Sequence, residues 1–230
     1  MLTLENSTDQ EAYAALKDFN RLVLQYRTPI FSSPTTTNAA SFHGDLLLGF
    51  DIICDEIRKH SAWGMPMARL DTVQYAMLQG SDKWRVAWVK AFGEPIDNPF
   101  ENLSMVVNAH PEILSLMVSR MLPGTVLPRH QGPFRGVMRY HLGVTIPEGD
   151  CALQVDDQEY KWKEGVGVCF DDTLWHSAWN RTPSDRVVLF ADVLRPLSGT
   201  VAARRDALIE QLKNSKALTD IRETIRREAK

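Results

Sequence analysis

The sequence predicts a mainly β fold with flanking helices, a small antiparallel barrel with helical additions at both ends. Three observations point to it. Residues 122–196 break into five or more short β-rich runs, parted by Gly, Pro and Asp turns every ~8–12 residues. The stretches before about residue 62 and after about residue 199 instead repeat their apolar positions at helical spacing. At 230 residues and 44% hydrophobic, the chain has the length of one large domain and enough apolar surface for a sizeable core. The expected organisation is helical cladding over 1–62, a barrel core over 63–199 and a C-terminal helical segment over 200–230, all in one structural domain.

Composition excludes several classes of function. A net charge of −3 gives no general attraction to nucleic acid or to an anionic membrane. No run of about 18 apolar residues occurs, so no membrane span is expected. The N-terminus, MLTLENSTDQEAYAAL, is acidic and polar where a signal peptide would be basic and then apolar. Cys54, Cys151 and Cys169 are odd in number and widely spaced, which predicts buried free thiols in a reducing cytoplasm.

Along the chain, Ser7-Thr8-Asp9-Gln10 matches a capping box, and Tyr13, Leu16, Phe19, Val23 and Tyr26 continue it as an amphipathic helix. TPIFSSPTTTNAAS reads as loop. A second helix is expected from about Phe42 to His60, with Leu46, Phe50, Ile53 and Ile57 on one face. VQYAMLQG and KWRVAWVKAFG alternate around Gly80-Ser81-Asp82 and predict a hairpin. NLSMVVNA fits either a short helix or an irregular strand. ILSLMVSRML is a strand ended by Pro123-Gly124, and further strands fall at VMRYHLGVTI, CALQVD, GVGVCF, HSAWN and RVVLFADVL. After Pro196 a charged helical stretch carries Leu208, Leu212, Leu218, Ile221 and Ile225; it suits either the cover of an open barrel end or a homodimer contact.

His130, His141 and His176 fall in the barrel segment. His130 and His176 stand at strand ends, where a barrel presents side chains to its mouth. Two imidazoles brought together there make a partial Fe(II) site, which non-haem oxygenases usually complete with a carboxylate two residues after the first histidine. Gly132 holds that position here. Singly, each histidine also reads as an ordinary polar strand-end residue. Arg186 sits on the apolar run RVVLFADVL, where an inward guanidinium calls for an anion; a surface salt bridge to Asp185 or Asp192 is the plainer reading. Arg139 and His141 are two apart and share a face of their strand, whether outward to solvent or inward to a ligand. Asp171 suits a turn that bonds its own backbone, and Asp172 suits a carboxylate bonding a metal-bound water. Trp162 reads as core; Trp175 and Trp179 fit core or mouth.

Taken as a set, HxGP, MRYHLGVTIP, W-KEG, FDDTxxHSAWN and DRVVLFADVLRP resemble the aspartyl/asparaginyl β-hydroxylase family, with the likeness running over about Trp84 to Pro196. The resemblance implies a double-stranded β-helix (jelly-roll or cupin-like) and an Fe(II)- and 2-oxoglutarate-dependent dioxygenase that consumes O2 and releases succinate and CO2. It implies His130 and His176 as iron ligands, Gly132 as the vacant carboxylate position and Asp172 beside a metal-bound water. Arg186, with Ser119 beside it, corresponds to the grip on the distal carboxylate of 2-oxoglutarate, and His141 to the contact with the other carboxylate. Arg139 corresponds to an arginine holding an acidic substrate, while a second substrate arginine of the animal enzymes falls at Val137.

The resulting expectation is a cytoplasmic hydroxylase of an unactivated C–H in an amino acid, peptide residue or other small carboxylate-bearing molecule. Hydroxylation of a lipid acyl chain ranks below it, because the lipid-modifying members of the family look membrane-attached. A non-catalytic barrel that senses 2-oxoglutarate or another diacid is the alternative from a different class; it would keep Arg186 without needing two metal histidines.

Overall fold

The computed structural model describes residues 7–26 and 28–228. In chain order the first strands are β1 (Phe31–Ser32), β2 (Met65–Pro66), β3 (Trp84–Ala91) and β4 (Glu94–Pro95). The next are β5 (Ile113–Met121), β6 (Thr125–His130), β7 (Val137–Thr145) and β8 (Cys151–Val155). The last are β9 (Gln158–Tyr160), β10 (Gly167–Phe170), β11 (His176–Asn180) and β12 (Arg186–Leu194).

From β5 onward the chain alternates between two antiparallel sheets, apart from the β8–β9 hairpin, which stays within one of them. The major sheet runs β1-β10-β7-β12-β5-β3-β2, with β4 beside β3, and the minor sheet runs β6-β11-β8-β9. This interleaving, in which strands distant in sequence become neighbours, is a double-stranded β-helix. Side chains of both sheets meet between them: Trp88, Met117, Met121, Leu153, Val155, Trp162, Phe170 and Val188 form one buried cluster. The major sheet is covered on its other face too. Met138, Tyr140, Leu142 and Val144 of β7, with Val187, Leu189, Ala191 and Val193 of β12, pack against helices. Period two therefore sorts β7 cleanly: even positions face the helices, and Arg139 and His141 face inward.

The helices are α1 (Ser7–Val23), α2 (Ala40–Leu48), α3 (Phe50–Lys59), α4 (Thr72–Leu78), α5 (Glu101–Ala109), α6 (Gly199–Lys213) and α7 (Lys216–Glu228). Phe42 and Leu46 of α2, Ile53 and Ile57 of α3, and Leu103 and Val107 of α5 form the helical side of that outer cluster. The single helix expected from Phe42 to His60 is two, broken at Gly49. The Ser7 side chain of the expected capping box lies outside the described residues. Leu16, Phe19 and Val23 of α1 pack on Leu208 of α6. The C-terminal segment is likewise two helices, and Ile225 of α7 is buried in the between-sheet cluster. Arg222 and Arg226 fasten α7 to Glu94 beside β3.

The expected hairpin before Trp84 is half wrong. Its first arm is α4, because the Asp71 side chain accepts from the Gln74 N–H at 2.7 Å and caps a helix. Gln79 and Gly80, both at positive φ, then turn the chain into β3. Six alternating residues were too few to separate strand from helix once a cap stood in front of them. NLSMVVNA is helical, as one of its two readings had it. The strand β6, at whose end His130 was expected, had no stretch of sequence named for it. All three cysteines are buried free thiols.

Candidate active site

His130 ends β6 and His176 begins β11, and the antiparallel register makes them direct partners. Their ring centroids are 4.1 Å apart. His130 Nδ1 lies 2.7 Å from the Pro128 carbonyl and His176 Nδ1 lies 2.9 Å from that of Leu174. A carbonyl only accepts, so each Nδ1 carries the proton and each Nε2 keeps its lone pair. Burial lowers both pKa values, that of His176 to about 4 with help from the neighbouring His130. The pair is thus two neutral imidazoles with available Nε2 donors.

His141 has the opposite arrangement. Its Nδ1 receives the Trp162 indole N–H at 3.2 Å. Indole only donates, so the ring proton sits on Nε2, which is buried and unpartnered. Burial, then Arg186 and Arg139, hold the ring far below the usual histidine range, so it is neutral. His141 offers a hydrogen-bond donor, where the other two offer electron pairs.

Arg186 is 2% exposed. One of its terminal nitrogens reaches the Ser119 carbonyl at 3.3 Å and Ser119 Oγ at 3.4 Å, and the other contacts Met121 Sδ. Its Nε has no partner. The guanidinium lies 4.6 Å from the centre of the Trp162 ring. Burial brings its pKa down to about 10, which leaves it charged at neutral pH. The plainer reading, a surface salt bridge, does not hold: Asp185 pairs with Arg120 and Asp192 with Arg139. A buried cation with no carboxylate is an open half of an ion pair.

Gly132 N–H donates to the Asp172 carbonyl at 2.7 Å, and a Cβ added at Gly132 would press into the Asp172 carboxylate. Asp172 therefore fills the volume where a side chain at 132 would emerge. Among the described residues no group of three or more His, Cys, Asp or Glu is arranged to hold a metal. Asp172 Oδ2 accepts from Arg139 at 2.5 Å, while its Oδ1 is buried and unpartnered. Asp171 takes the turn role expected of it, accepting from the Thr173 N–H and hydroxyl. It also pairs with Arg195 at 2.7 Å.

Arg139, expected to hold an acidic substrate, meets carboxylates of the protein itself. It is bound to Asp172 and, at 2.8 Å, to Asp192, and it stacks on Phe190 at 4.0 Å. Two carboxylates neutralise it, so its charge is already satisfied inside the protein. Asp192 is its direct cross-strand partner. Alternation along β12 puts Asp192 on the face of Arg186. Trp162, expected as core, is buried but also bridges His141 and Arg186. Trp175 is exposed and stacks on Arg129, and Trp179 bonds Asp150.

Residues 49–196 match the family model described as aspartyl/asparaginyl beta-hydroxylase. This chain belongs to that family. Among its relatives is the ornithine lipid ester-linked acyl 2-hydroxylase of Rhizobium tropici, 38% identical over 120 residues, 50% of this chain and 43% of the relative. Human aspartyl/asparaginyl beta-hydroxylase is 36% identical over 78 residues, 34% of this chain and 10% of that protein. The matched segments thus span less than half the length of either relative. Among solved structures, a 2OG-Fe(II) oxygenase family oxidoreductase from Burkholderia pseudomallei aligns at TM-score 0.40 and 11% identity, covering 52% of this chain and 71% of that one. The family match takes in every site residue described here, from Ser119 to Arg186.

Proposed function

We propose that the chain is an Fe(II)- and 2-oxoglutarate-dependent hydroxylase in which His130 and His176 hold the iron. The observation that carries this is a contrast within one barrel. Two adjacent imidazoles have their Nε2 lone pairs free, and a third, His141, is locked as a donor beside a buried, uncompensated guanidinium. That donor set fits a metal together with a dicarboxylate, and fits neither alone. Iron held by His130 and His176, together with 2-oxoglutarate and O2, would supply the oxidising power for hydroxylation of an unactivated C–H, with succinate and CO2 as the co-products.

The remaining work belongs to the protein. Arg186 and Ser119 hold the distal carboxylate of 2-oxoglutarate, and the His141 Nε2–H donates to the nearer one. Pro128 and Leu174 carbonyls fix the two ligand rings and keep their lone pairs forward. Asp172, held by Arg139, puts its open Oδ1 beside the position that a side chain at Gly132 would occupy, leaving that oxygen free to accept a hydrogen bond there. Phe170, Trp162 and Phe190 exclude water around these groups.

The expected substrate, an amino acid, peptide residue or small carboxylate, relied on Arg139 for its acidic end. A second reading, hydroxylation of a lipid acyl chain, is favoured by the pairing of Arg139 with Asp172 and Asp192 and by the likeness to the Rhizobium enzyme. Succinate release on adding acyl or amino-acid substrates separates the two.

The cofactor assignment is tested anaerobically by adding Fe(II) and then 2-oxoglutarate to metal-free protein. A visible charge-transfer band is expected only with both present, and is expected to disappear in His130→Ala. Binding of 2-oxoglutarate by calorimetry with no band would replace this reading by a diacid-sensing barrel.

A further inference from the structure

Four lysine or arginine residues are buried among the described residues: Lys90, Arg186, Arg195 and Arg205. Arg195 meets Asp171 at 2.7 Å and Arg205 meets Asp206 at 2.7 Å. Arg186 and Lys90 meet no carboxylate of the described residues within ion-pair distance. The first is the anion grip of the barrel. An unpaired buried charge is destabilising whichever residue carries it, so Lys90 calls for the same explanation.

Lys90 is aimed by a β-bulge. The β3–β5 register slips between Trp88, which faces the barrel, and Lys90. The extra residue turns the lysine out of the between-sheet core. It lines an open pocket of about 580 Å³ between α6 and the major sheet, whose lining includes Ile113, Leu114, Leu194 and Ile209 beside the polar Asn108, Asp206, Glu210 and Lys213. Its three ammonium protons find one acceptor, the His110 carbonyl at 3.4 Å. Glu112 is close enough to act on it electrostatically but is engaged by His110 Nδ1 at 2.8 Å. The acids of the wall are also taken: Glu210 pairs with Lys213 at 2.7 Å and Asp206 with Arg205. Burial holds the Lys90 ammonium below the usual lysine range, and Lys213 pushes it the same way against Glu112.

The cavity is separate from the barrel site. Leu194 and Ile113 stand at the opposite ends of β12 and β5 from Arg186 and Met121, roughly 25 Å away by strand rise. We propose that this cavity is a second anion site, binding at Lys90 the carboxylate of a small acid that has an apolar body. The lysine supplies the charge, and the four aliphatic walls supply the reason to prefer a carboxylate with a hydrocarbon tail. The volume is that of an ordinary small-molecule pocket, about 300–1,000 Å³.

The test is calorimetric titration of the full chain with hexanoate, acetate and inorganic phosphate, repeated on Lys90→Met, Lys90→Arg and Arg186→Met. Hexanoate is expected to bind the unaltered chain, Lys90→Arg and Arg186→Met alike, and Lys90→Met at least tenfold more weakly. Acetate and phosphate are expected to bind at least tenfold more weakly than hexanoate. Unchanged hexanoate affinity in Lys90→Met, or its loss in Arg186→Met instead, would overturn the site. Phosphate binding as tight as hexanoate would overturn the ligand class. Should Lys90→Met fail to fold, Leu114→Glu, which sets a carboxylate in the half-buried wall, is expected to abolish hexanoate binding; retained binding there also overturns the proposal.

Discussion

His130, His176 and His141 sit within one barrel and carry their protons on different nitrogens, and in each the partner of Nδ1 decides which. A carbonyl there frees Nε2 to ligate; an indole N–H there makes Nε2 a donor. The sequence could place the two candidate ligands, since strand-end histidines flank recognisable turns. It could not tell their tautomers from that of His141, because the deciding partner of His141 lies 21 residues away on another segment. The same limit hid the fate of Arg139, whose charge is settled by Asp192 across a strand pair. Trp162→Phe tests the tautomer argument, since it keeps an aromatic ring under Arg186 and removes the indole N–H together with part of the ring. The 2-oxoglutarate affinity is expected to fall about five- to tenfold, the worth of about one hydrogen bond, while iron binding stays unchanged. Nitrogen NMR shifts of His141 should then report a mixture of tautomers. An unaltered affinity with Nε2 still protonated would sink the idea.

Among elements, the major-sheet strands β5, β7 and β12 were the most legible, because both their faces are buried and their sequences read as long apolar runs broken by turns. The helix α4 was misread because a short alternating segment satisfies two periods at once, and Asp71 decides between them. The strand β6 was missed because it holds Pro128, Arg129 and exposed Val126, too polar a pattern to stand out. The β10–β11 connection shows how an element end is fixed from outside. Asp171 binds Thr173 within the loop and Arg195 just past β12, and Arg205 of α6 donates to the Arg195 carbonyl at 2.6 Å. Burial opposes ionisation of Asp171, but Arg195 and Thr173 outweigh it and hold its pKa below the usual range. Its folded pKa is thus under its unfolded value of about 3.9, so its stabilisation is complete above about pH 4 and is lost as the pH falls. Asp171→Asn should cost about 3–5 kcal/mol at pH 7, since it leaves Arg195 buried without a counter-charge. The gap from the unaltered chain should narrow at pH 3 in urea unfolding. An equal loss at both pH values would refute the ion-pair account.

At the scale of the whole molecule, the strand count and turn spacing made a β-barrel legible, but the order of strands in its two sheets was not. That order rests on pairings such as β5 with β12, formed by residues some 65 to 80 apart in the chain. Those pairings also build the site from both sheets: the histidine pair comes from the minor sheet, while Arg186, Ser119 and His141 come from the major one. A ligand that engages both groups ties the sheets together and supplies the counter-charge that Arg186 lacks. Ligand-free stability and ligand response should therefore move in opposite directions. With 2-oxoglutarate at about 100 times its dissociation constant for the Fe(II)-loaded protein, mass action predicts a gain over Fe(II) alone of about 2.7 kcal/mol, or roughly 5–10 °C in melting temperature for a chain of this length. Arg186→Met removes the unpaired charge and keeps an apolar stem against Trp162. Its ligand-free melting temperature should equal or exceed that of the unaltered chain, with the shift on adding 2-oxoglutarate lost. Thermal scans of both proteins, with Fe(II) alone and with both ligands, decide it. If Arg186→Met melts well below the unaltered chain yet keeps the 2-oxoglutarate shift, Arg186 is a structural residue and the dicarboxylate binds elsewhere.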